Sequence, residues 1–480
     1  MKHSRRSFIT TAGLALPAIA STRAAGSNEA VRVGFIGLGG RGTGSVKWFS
    51  GIENVDIAYF CDPDENRVAA AQKKFPNAKG TGDLRKLIED KDIDAVVVST
   101  CNHWHALAAI WAIQAGKDVY VEKPVSHNIW EGRKIVEAAR KYKRIVQGGT
   151  QQRSDKLQGR VKDFLDTGEL GKIKYVRCNR YGQRASIGKR KTPLQPPMTL
   201  DYDLWLGPAE DQEIFRDKFH YDWHWDWNCG NGELGNWGPH ILDDLRNVVF
   251  RDKIALPKRV IAGGGRLAWD DAGNTPNTHF VYMDTGDIPV IVDVHNLPRK
   301  KGQNASDVYK RRRTGAFLVI ECENGYYAGG RGGGAAFGSD GKKIKSFKGD
   351  GGGAHAQNFI DAVRSRKKED LNAEIEQIHY SSAWCHLGNI SWRLGQENSY
   401  ERGEAEQRVK DFQPWNDVIG DFHEHVKANE VDLAKYDVRM GVELQIDAEN
   451  ETFTGDTATP QALGLLTREY RKGFEVPEKV

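Results

Sequence analysis

The sequence predicts an α/β protein in two parts: an N-terminal Rossmann unit with a doubly wound parallel sheet, then a C-terminal α/β domain with a large open, mostly antiparallel sheet. Three observations predict it. A β-branched run, Val31–Ile36, leads directly into the glycine string Gly37-Leu38-Gly39-Gly40-Arg41-Gly42. Short apolar runs then alternate with helical text up to about residue 153, as βαβ units require. Beyond that point strands become longer and alternating, with few helices between them.

Residues 1–25 stand outside the fold. Ser4-Arg5-Arg6-Ser7-Phe8-Ile9, a weakly apolar run from Ala12 to Ala20 and the small residues Ala18-Ile19-Ala20 read as a twin-arginine signal and leader. The apolar run is well short of the roughly 20 residues needed to span a bilayer. A periplasmic location is therefore expected, and because such export carries folded chains, a tightly held nucleotide suits it better than a disulfide scaffold. The net charge is +4, and Lys2, Arg5 and Arg6 supply three of those charges within the first 20 residues, leaving +1. That near-neutral remainder gives no reason to expect a nucleic-acid or membrane partner. Cys61, Cys101, Cys178, Cys229, Cys322 and Cys385 are scattered without a Cys-x-x-Cys pair, so buried free thiols are expected and no metal site.

In the first part, residues 30–153, strands are expected at Val31–Ile36, Val55–Phe60, Ala95–Ser99, Val119–Val121 and Ile145–Gly148. Helical text lies around Ser45–Phe49, at Ala106–Gln114 and at Trp130–Lys141. In the second, residues 154–480, a helix near Leu157–Leu165 precedes strands at Ile173–Tyr181, Arg259–Ala262, His279–Met283, Val290–His295 and Ala316–Glu321. Helices return at Ala356–Ser365 and Ile375–Leu394, while the glycine-rich stretch 329–353 lacks periodicity and reads as a long surface loop. Lys310-Arg311-Arg312-Arg313 reads as a solvated loop, since no aromatic residues interleave it.

The glycine string carries the clearest chemistry. Gly37, Gly39, Gly40 and Gly42 let the backbone turn tightly and approach a pyrophosphate, which the N–H groups of the next helix receive; Arg41 can contact a phosphate. Asp62 lies 20 residues after Gly42, at the end of the second strand. Its carboxylate can accept both adenosine-ribose hydroxyls and would repel a 2′-phosphate, favouring NAD while leaving NADP open. Thr100-Cys101-Asn102-His103-Trp104-His105 and Glu122-Lys123-Pro124 each follow a strand end, where ligands bind in such sheets. A lysine held near a cofactor and another cation acquires a lowered pKa and can exchange a proton with a hydroxyl.

With these residues in place the chain resembles the glucose–fructose oxidoreductase / inositol dehydrogenase / rhizopine-catabolism (Gfo/Idh/MocA) family. The resemblance rests on the glycine string, Asn102 and His105, Glu122-Lys123-Pro124, and a downstream Gly238-Pro239-His240 segment. It implies a nicotinamide cofactor contacted by Thr100, Asn102, His105, Glu122 and Lys123. It also implies a sugar or polyol substrate, and a homodimer or homotetramer assembled through the open sheet. In inositol-dehydrogenase-like members a catalytic Asp stands four residues before the histidine; here Asn236 occupies that position. An amide orients a hydroxyl but cannot take its proton, which leaves Lys123 and His240 as the acid–base candidates.

Tyr221-Asp222-Trp223-His224-Trp225-Asp226-Trp227 offers rings to stack on sugar C–H faces, so Trp223 and Trp225 are expected in the substrate pocket, with Arg153, Asn236 and His240; packing under the sheet is the alternative for the tryptophans, and core packing around it the alternative for Arg153. Asp243 either orients His240 or serves the fold. The function these features imply is an exported NAD(P)-dependent oxidoreductase of a sugar or glycoside, with Lys123 as proton shuttle. A redox-assisted glycosidase, working by oxidation, elimination, hydration and reduction, is the first alternative. A non-catalytic sugar-binding protein on the same fold is the second.

Overall fold

The computed structural model describes residues 30–303 and 317–480. The twin-arginine leader and the Lys310–Arg313 tract lie outside those residues.

The N-terminal unit runs β1 (Val31–Ile36), α1 (Gly40–Phe49), β2 (Val55–Cys61), α2 (Glu65–Gln72), β3 (Lys79–Thr81), α3 (Leu84–Glu89), β4 (Ala95–Val98), α4 (Asn102–Gln114), β5 (Asp118–Val121), α5 (Ile129–Lys141) and β6 (Val146–Gly148). Its strands are all parallel, in the order β3-β2-β1-β4-β5-β6. β4 and β5 are buried along their whole length, which explains the apolar text of Ala95–Val98 and Val119–Val121. Helix starts follow local chemistry: Asp64, Asp83 and Asn128 cap α2, α3 and α5 by accepting a backbone N–H. α1 and α4 lack such a side-chain cap, so their first N–H groups stay open at the carboxyl ends of β1 and β4.

The second part begins with α6 (Lys156–Asp166), β7 (Ile173–Tyr181), α7 (Tyr202–Leu206) and α8 (Gly232–Val248). Next come β8 (Arg259–Gly265), β9 (Thr278–Asp284), β10 (Val290–His295), β11 (Leu318–Cys322), β12 (Gly325–Gly330), β13 (Gly333–Gly338) and β14 (Lys343–Lys348). The helices α9 (His355–Ser365), α10 (Ile375–Leu394), α11 (Arg402–Gln407) and α12 (Gln413–Ala428) follow, then the short strands β15 (Val438–Met440), β16 (Leu444–Asp447) and β17 (Thr452–Phe453). The sheet order is β14-β13-β12-β11-β7-β10-β9-β8-β16-β17, with β15 also on β8; only β7 and β10 pair in parallel.

Alternation divides this sheet's two faces. Val260, Val281, Met283 and Val292 pack with Leu234, Ile241 and Leu245 of α8 and Trp384 of α10. Ile261, Phe280, Tyr282 and Ile291 point the other way, onto Trp415, Ile419 and Phe422 of α12. The face on which the family resemblance places subunit contacts is thus covered over β8–β10 by the chain's own helix.

The stretch 329–353 is not the long loop expected. Much of it is the antiparallel meander β12–β14. Gly329 and Gly334 face each other across β12 and β13, and a Cβ on either would stand 2.0 or 2.3 Å from the Tyr327 hydroxyl. Glycine there serves close approach, and having no side chain it leaves no alternation to read.

Candidate functional site

One cleft of about 420 Å³ opens at the carboxyl ends of β1, β4 and β5, facing α8. Its floor is the glycine string. Gly37 takes φ +88°, and a Cβ there would lie 2.6 Å from the Ser99 carbonyl oxygen; a Cβ on Gly42 would lie 1.9 Å from that of Gly37. Gly40, at the start of α1, meets nothing within 4 Å. The uncapped helix end, with no acidic residue in its first turn, fits an approaching pyrophosphate. At the adenosine end, Asp62 accepts N–H groups of Leu38 (2.8 Å) and Asp64 (3.0 Å), and Arg67 stands 3.5 Å away. Burial raises the Asp62 pKa, and Arg67 and these N–H groups oppose that rise. The residues present therefore fit a dinucleotide.

The other end of the cleft holds titratable groups. Lys123 Nζ donates to the backbone carbonyl (2.6 Å) and to Oδ1 (3.1 Å) of Asn236. Burial lowers its pKa to about 8, with the positive charges of Arg41 and Arg331 adding to the fall and Glu122 and Glu233 opposing it. Asn236 in turn donates 3.3 Å to Glu233 Oε2. One turn on, His240 lines the cleft 5% exposed, and its Nδ1 has no partner among the described residues. Burial, then Arg331 and Lys123, drive its pKa well down, so the imidazole is neutral. Pro239 within α8 supplies no N–H for the carbonyl of Gly235, which loosens the helix at this turn.

Glu122 Oε1 pairs with Arg41 at 3.1 Å and accepts from Gln151 Nε2 at 3.1 Å. Thr100 and Asn102 line the cleft near the glycine string. His105 also lines it, but Nδ1 faces the Pro124 carbonyl (2.6 Å) and Nε2 that of Thr100 (3.1 Å), so its ring clamps two loops together.

Arg153 is elsewhere. The turn Gln151–Ser154 is a 3₁₀ helix, whose three residues per turn send successive side chains in different directions. Gln151 points into the cleft network, whereas Arg153 forms buried ion pairs with Asp243 (2.7 Å) and Asp252 (2.8 Å). Asp243 therefore serves Arg153 and not His240. The tryptophan stretch divides in the same way. Residues 222–225 form a 3₁₀ turn, so Trp223 and Trp225 do not share a face as they would in a strand. Trp223 lines the cleft, stacked on His224 at 3.7 Å, whereas Trp225 is 4% exposed and packs inward beneath Arg184.

Of the further cleft residues, Tyr221 and His224 lie in the aromatic stretch that the sequence marked, whereas His220, Arg180 and Arg331 had no such signal. The long connection 182–231 roofs the site, tied to the nucleotide unit by the Asp64–Leu200 bridge and by Trp104 Nε1 donating to the Leu204 and Trp205 carbonyls at 3.0 Å. It brings in His220, Tyr221 and His224. Arg180, the penultimate residue of β7, lies 4.2 Å over the Trp237 ring, and Arg331 reaches in from the β12–β13 turn. Only the glycine-rich composition marked that turn, and it read as loop.

Among the described residues no group of three or more His, Cys, Asp or Glu could hold a metal ion, and no helix is long and apolar enough to cross a membrane. All six cysteines are free.

Comparison with known proteins agrees with this architecture. Residues 31–150 match the Gfo/Idh/MocA "Oxidoreductase family, NAD-binding Rossmann fold", and residues 172–305 match its "C-terminal alpha/beta domain". Inositol 2-dehydrogenase of Salmonella typhimurium is 30% identical over 177 residues, 36% of this chain and 52% of that protein. The alpha-N-acetylgalactosaminidase of Shewanella oneidensis is 38% identical over 120 residues, 23% of this chain and 26% of that one. The chain thus spans about half the length, or less, of these curated relatives. Among solved structures, the WlbA dehydrogenase of Bordetella pertussis, in complex with NADH and UDP-GlcNAcA, superposes with TM-score 0.54 at 18% identity, covering 74% of this chain and 93% of that one. Biliverdin reductase of Synechocystis, with biliverdin and NADP+, gives 0.53 at 16%, covering 75% and 98%; at these identities the likeness is one of fold. With both family regions matched in order, and a dinucleotide-shaped cleft between them, the chain belongs to the Gfo/Idh/MocA family of NAD-binding oxidoreductases.

Proposed function

We propose that the chain is an exported oxidoreductase acting on a sugar or glycoside, with Lys123 exchanging the proton of the reacting hydroxyl. The observation that carries this reading is the position of Lys123 Nζ, half-buried and lowered to about pKa 8, between the glycine string and the aromatic roof. When bound, the nicotinamide supplies the hydride acceptor and donor. The chain does the rest. Asn236 fixes the ammonium, Trp223 and Tyr221 present ring faces to a sugar, and the unpartnered Nδ1 of His240 can bind a substrate hydroxyl. The roof covers the reacting end in part, which suits a cofactor that stays bound. That property suits export in the folded state, for which Arg5 and Arg6 are the motif. Relatives named inositol 2-dehydrogenase support a polyol-like substrate. Assembly into a homo-oligomer is part of this proposal, through sheet surface that α12 leaves uncovered.

A redox-assisted glycosidase is the second reading. Relatives named glycosyl hydrolase family 109 proteins favour it. Burial lowers His224 to about 3 and His240 well below its ordinary value. Imidazoles held so far below their ordinary range are weak bases, so the neutral amine of Lys123 is the group that would remove the C–H proton that an adjacent ketone acidifies, before water adds and the ketone is reduced again.

Denaturing the purified mature protein and identifying the released nucleotide tests the cofactor. Screening sugars and glycosides with the native protein separates the readings. A keto-sugar or lactone marks the oxidoreductase, and free aglycone without net cofactor turnover marks the glycosidase. If Lys123→Ala leaves every turnover unchanged while sugar binding persists, the enzymatic reading is lost and a sugar-binding protein remains.

A further inference from the structure

The reacting end of the cleft carries more positive charge than its own residues neutralise. Lys123, Arg41, Arg180, Arg184 and Arg331 line it. Two carboxylates pair with them: Glu122 holds Arg41, and the fully buried Glu233 is shared between Arg180 (3.2 Å) and Arg184 (3.0 Å). Arg331 has no carboxylate within ion-pair distance among the described residues. It donates 2.8 Å to Gln151 Oε1 and lies 5.8 Å from the Trp237 ring, the ring that Arg180 also covers. Asp244 is the acidic group acting most strongly on it, and burial pushes that carboxyl up to about 7. A neutral sugar would gain little from this arrangement, and close guanidinium groups left unscreened in a roofed cleft repel one another.

Two anions could answer this charge: the cofactor pyrophosphate and a group on the substrate. The pyrophosphate has its own receptors in the amides at the start of α1 and in Arg41. Arg331 and Arg180 are placed differently. They flank Trp237, one residue from Asn236 and three from His240, and of the charges bearing on His240 that of Arg331 is the strongest. A guanidinium fork matches a planar carboxylate.

We propose that the substrate is an acidic sugar of the uronic type, whose ring carboxylate is received by Arg331 and Arg180 beside Trp237 while its reacting hydroxyl faces Lys123. This deepens the sugar reading above and rests on it. The carboxylate fixes the ring in one orientation, so that the carbinol carbon and not the acid end is presented to the cofactor.

The test uses the NAD-loaded protein and two matched pairs, methyl β-glucoside against methyl β-glucuronide and methyl β-galactoside against methyl β-galacturonide. Product formation and calorimetric binding are both measured, and salt is held constant. In at least one pair the acid is expected to win in kcat/KM by about 10- to 100-fold, the range of a charge-assisted pair. In Arg331→Gln that preference collapses while bound NAD is retained, and Arg331→Lys keeps part of it. Equal use of both members of each pair, or preference for the neutral ones, overturns the acidic substrate and leaves the oxidoreductase standing. Loss of bound NAD in Arg331→Gln, with both members of a pair falling alike, overturns it too and makes Arg331 a cofactor ligand. If nothing turns over, binding decides. Uronide binding that Arg331→Gln abolishes upholds the acidic ligand while removing the oxidoreductase reading; no uronide binding overturns the proposal.

Discussion

Lys123 Nζ and the backbone carbonyl of Asn236 lie 2.6 Å apart, joining the end of the nucleotide unit to the middle of α8. An ammonium held by a carbonyl and an amide oxygen, with no carboxylate touching it, remains easy to deprotonate. With its pKa lowered to about 8, oxidation, which needs the neutral amine, is expected to rise with pH through about 8 and then level off. Reduction, which needs the ammonium, is expected to fall across the same range. Lys123→Met should remove this limb and lower kcat by about 10²- to 10⁴-fold, the usual size of general acid–base catalysis. Steady-state pH profiles in both directions check it.

His240→Gln separates the two candidate bases. Because the His240 imidazole is held neutral far below its ordinary range, it contributes no titration near pH 8. The variant is expected to raise KM, through loss of the contact at Nδ1, while the limb near 8 persists. Disappearance of that limb in His240→Gln would move the proton to the histidine.

Arg153→Ala tests whether that side chain belongs to the fold. Its guanidinium is 4% exposed and Asp243 wholly buried, so truncation leaves a carboxylate without its partner. A loss of about 3–5 kcal/mol of stability is expected, as for other broken buried pairs. Denaturant unfolding measures it, and the variant's substrate KM, where it still folds, should stay close to that of the parent.

Asp62→Asn addresses cofactor choice. The amide keeps an oxygen for the Leu38 N–H but removes the charge that repels a 2′-phosphate, and Arg67 remains 3.5 Å from the site. The ratio of NADP to NAD affinity should rise by about 10-fold or more. Fluorescence titration of the cofactor-free protein reads it directly.

Gly42→Ala and Gly40→Ala form a matched pair. The added Cβ strikes the Gly37 carbonyl oxygen at 1.9 Å in the first and meets open space in the second. Gly42→Ala is expected to abolish nucleotide retention by displacing the loop. Gly40→Ala should fold normally and only weaken binding, since its methyl intrudes on the anion and not on the protein. Nucleotide content after gel filtration distinguishes them.

The nucleotide half was legible because its signals are local. A strand, a glycine turn and an acid at fixed spacing can be read along the chain, and Lys123, Asn236 and His240 fall within short motifs whose spacing survives folding. For Arg153 and Trp225 the structure selects the packing alternative. Each lies in a 3₁₀ turn, where the backbone turns 120° per residue, so Gln151 and Trp223 reach the cleft while Arg153 and Trp225 turn away from it. Residues 329–353 were taken for a loop because glycines facing a tyrosine hydroxyl leave no alternation in the text.

By itself, then, the sequence determined five of the six strands of the nucleotide unit and its helices α1, α4 and α5, though not α2, β3 or α3, together with the dinucleotide floor from Gly37 to Gly42, the acid at Asp62 and the candidate pair Lys123 and His240. Those follow from backbone conformation and spacing over a few residues. Only the tertiary structure decided which charges share the cleft with them. Arg180 arrives from the end of β7, Arg331 from a turn about 200 residues beyond Lys123, and Glu233 is buried between two arginines. No local pattern encodes such a meeting, because it is set by how the large sheet and α8 pack against the nucleotide unit.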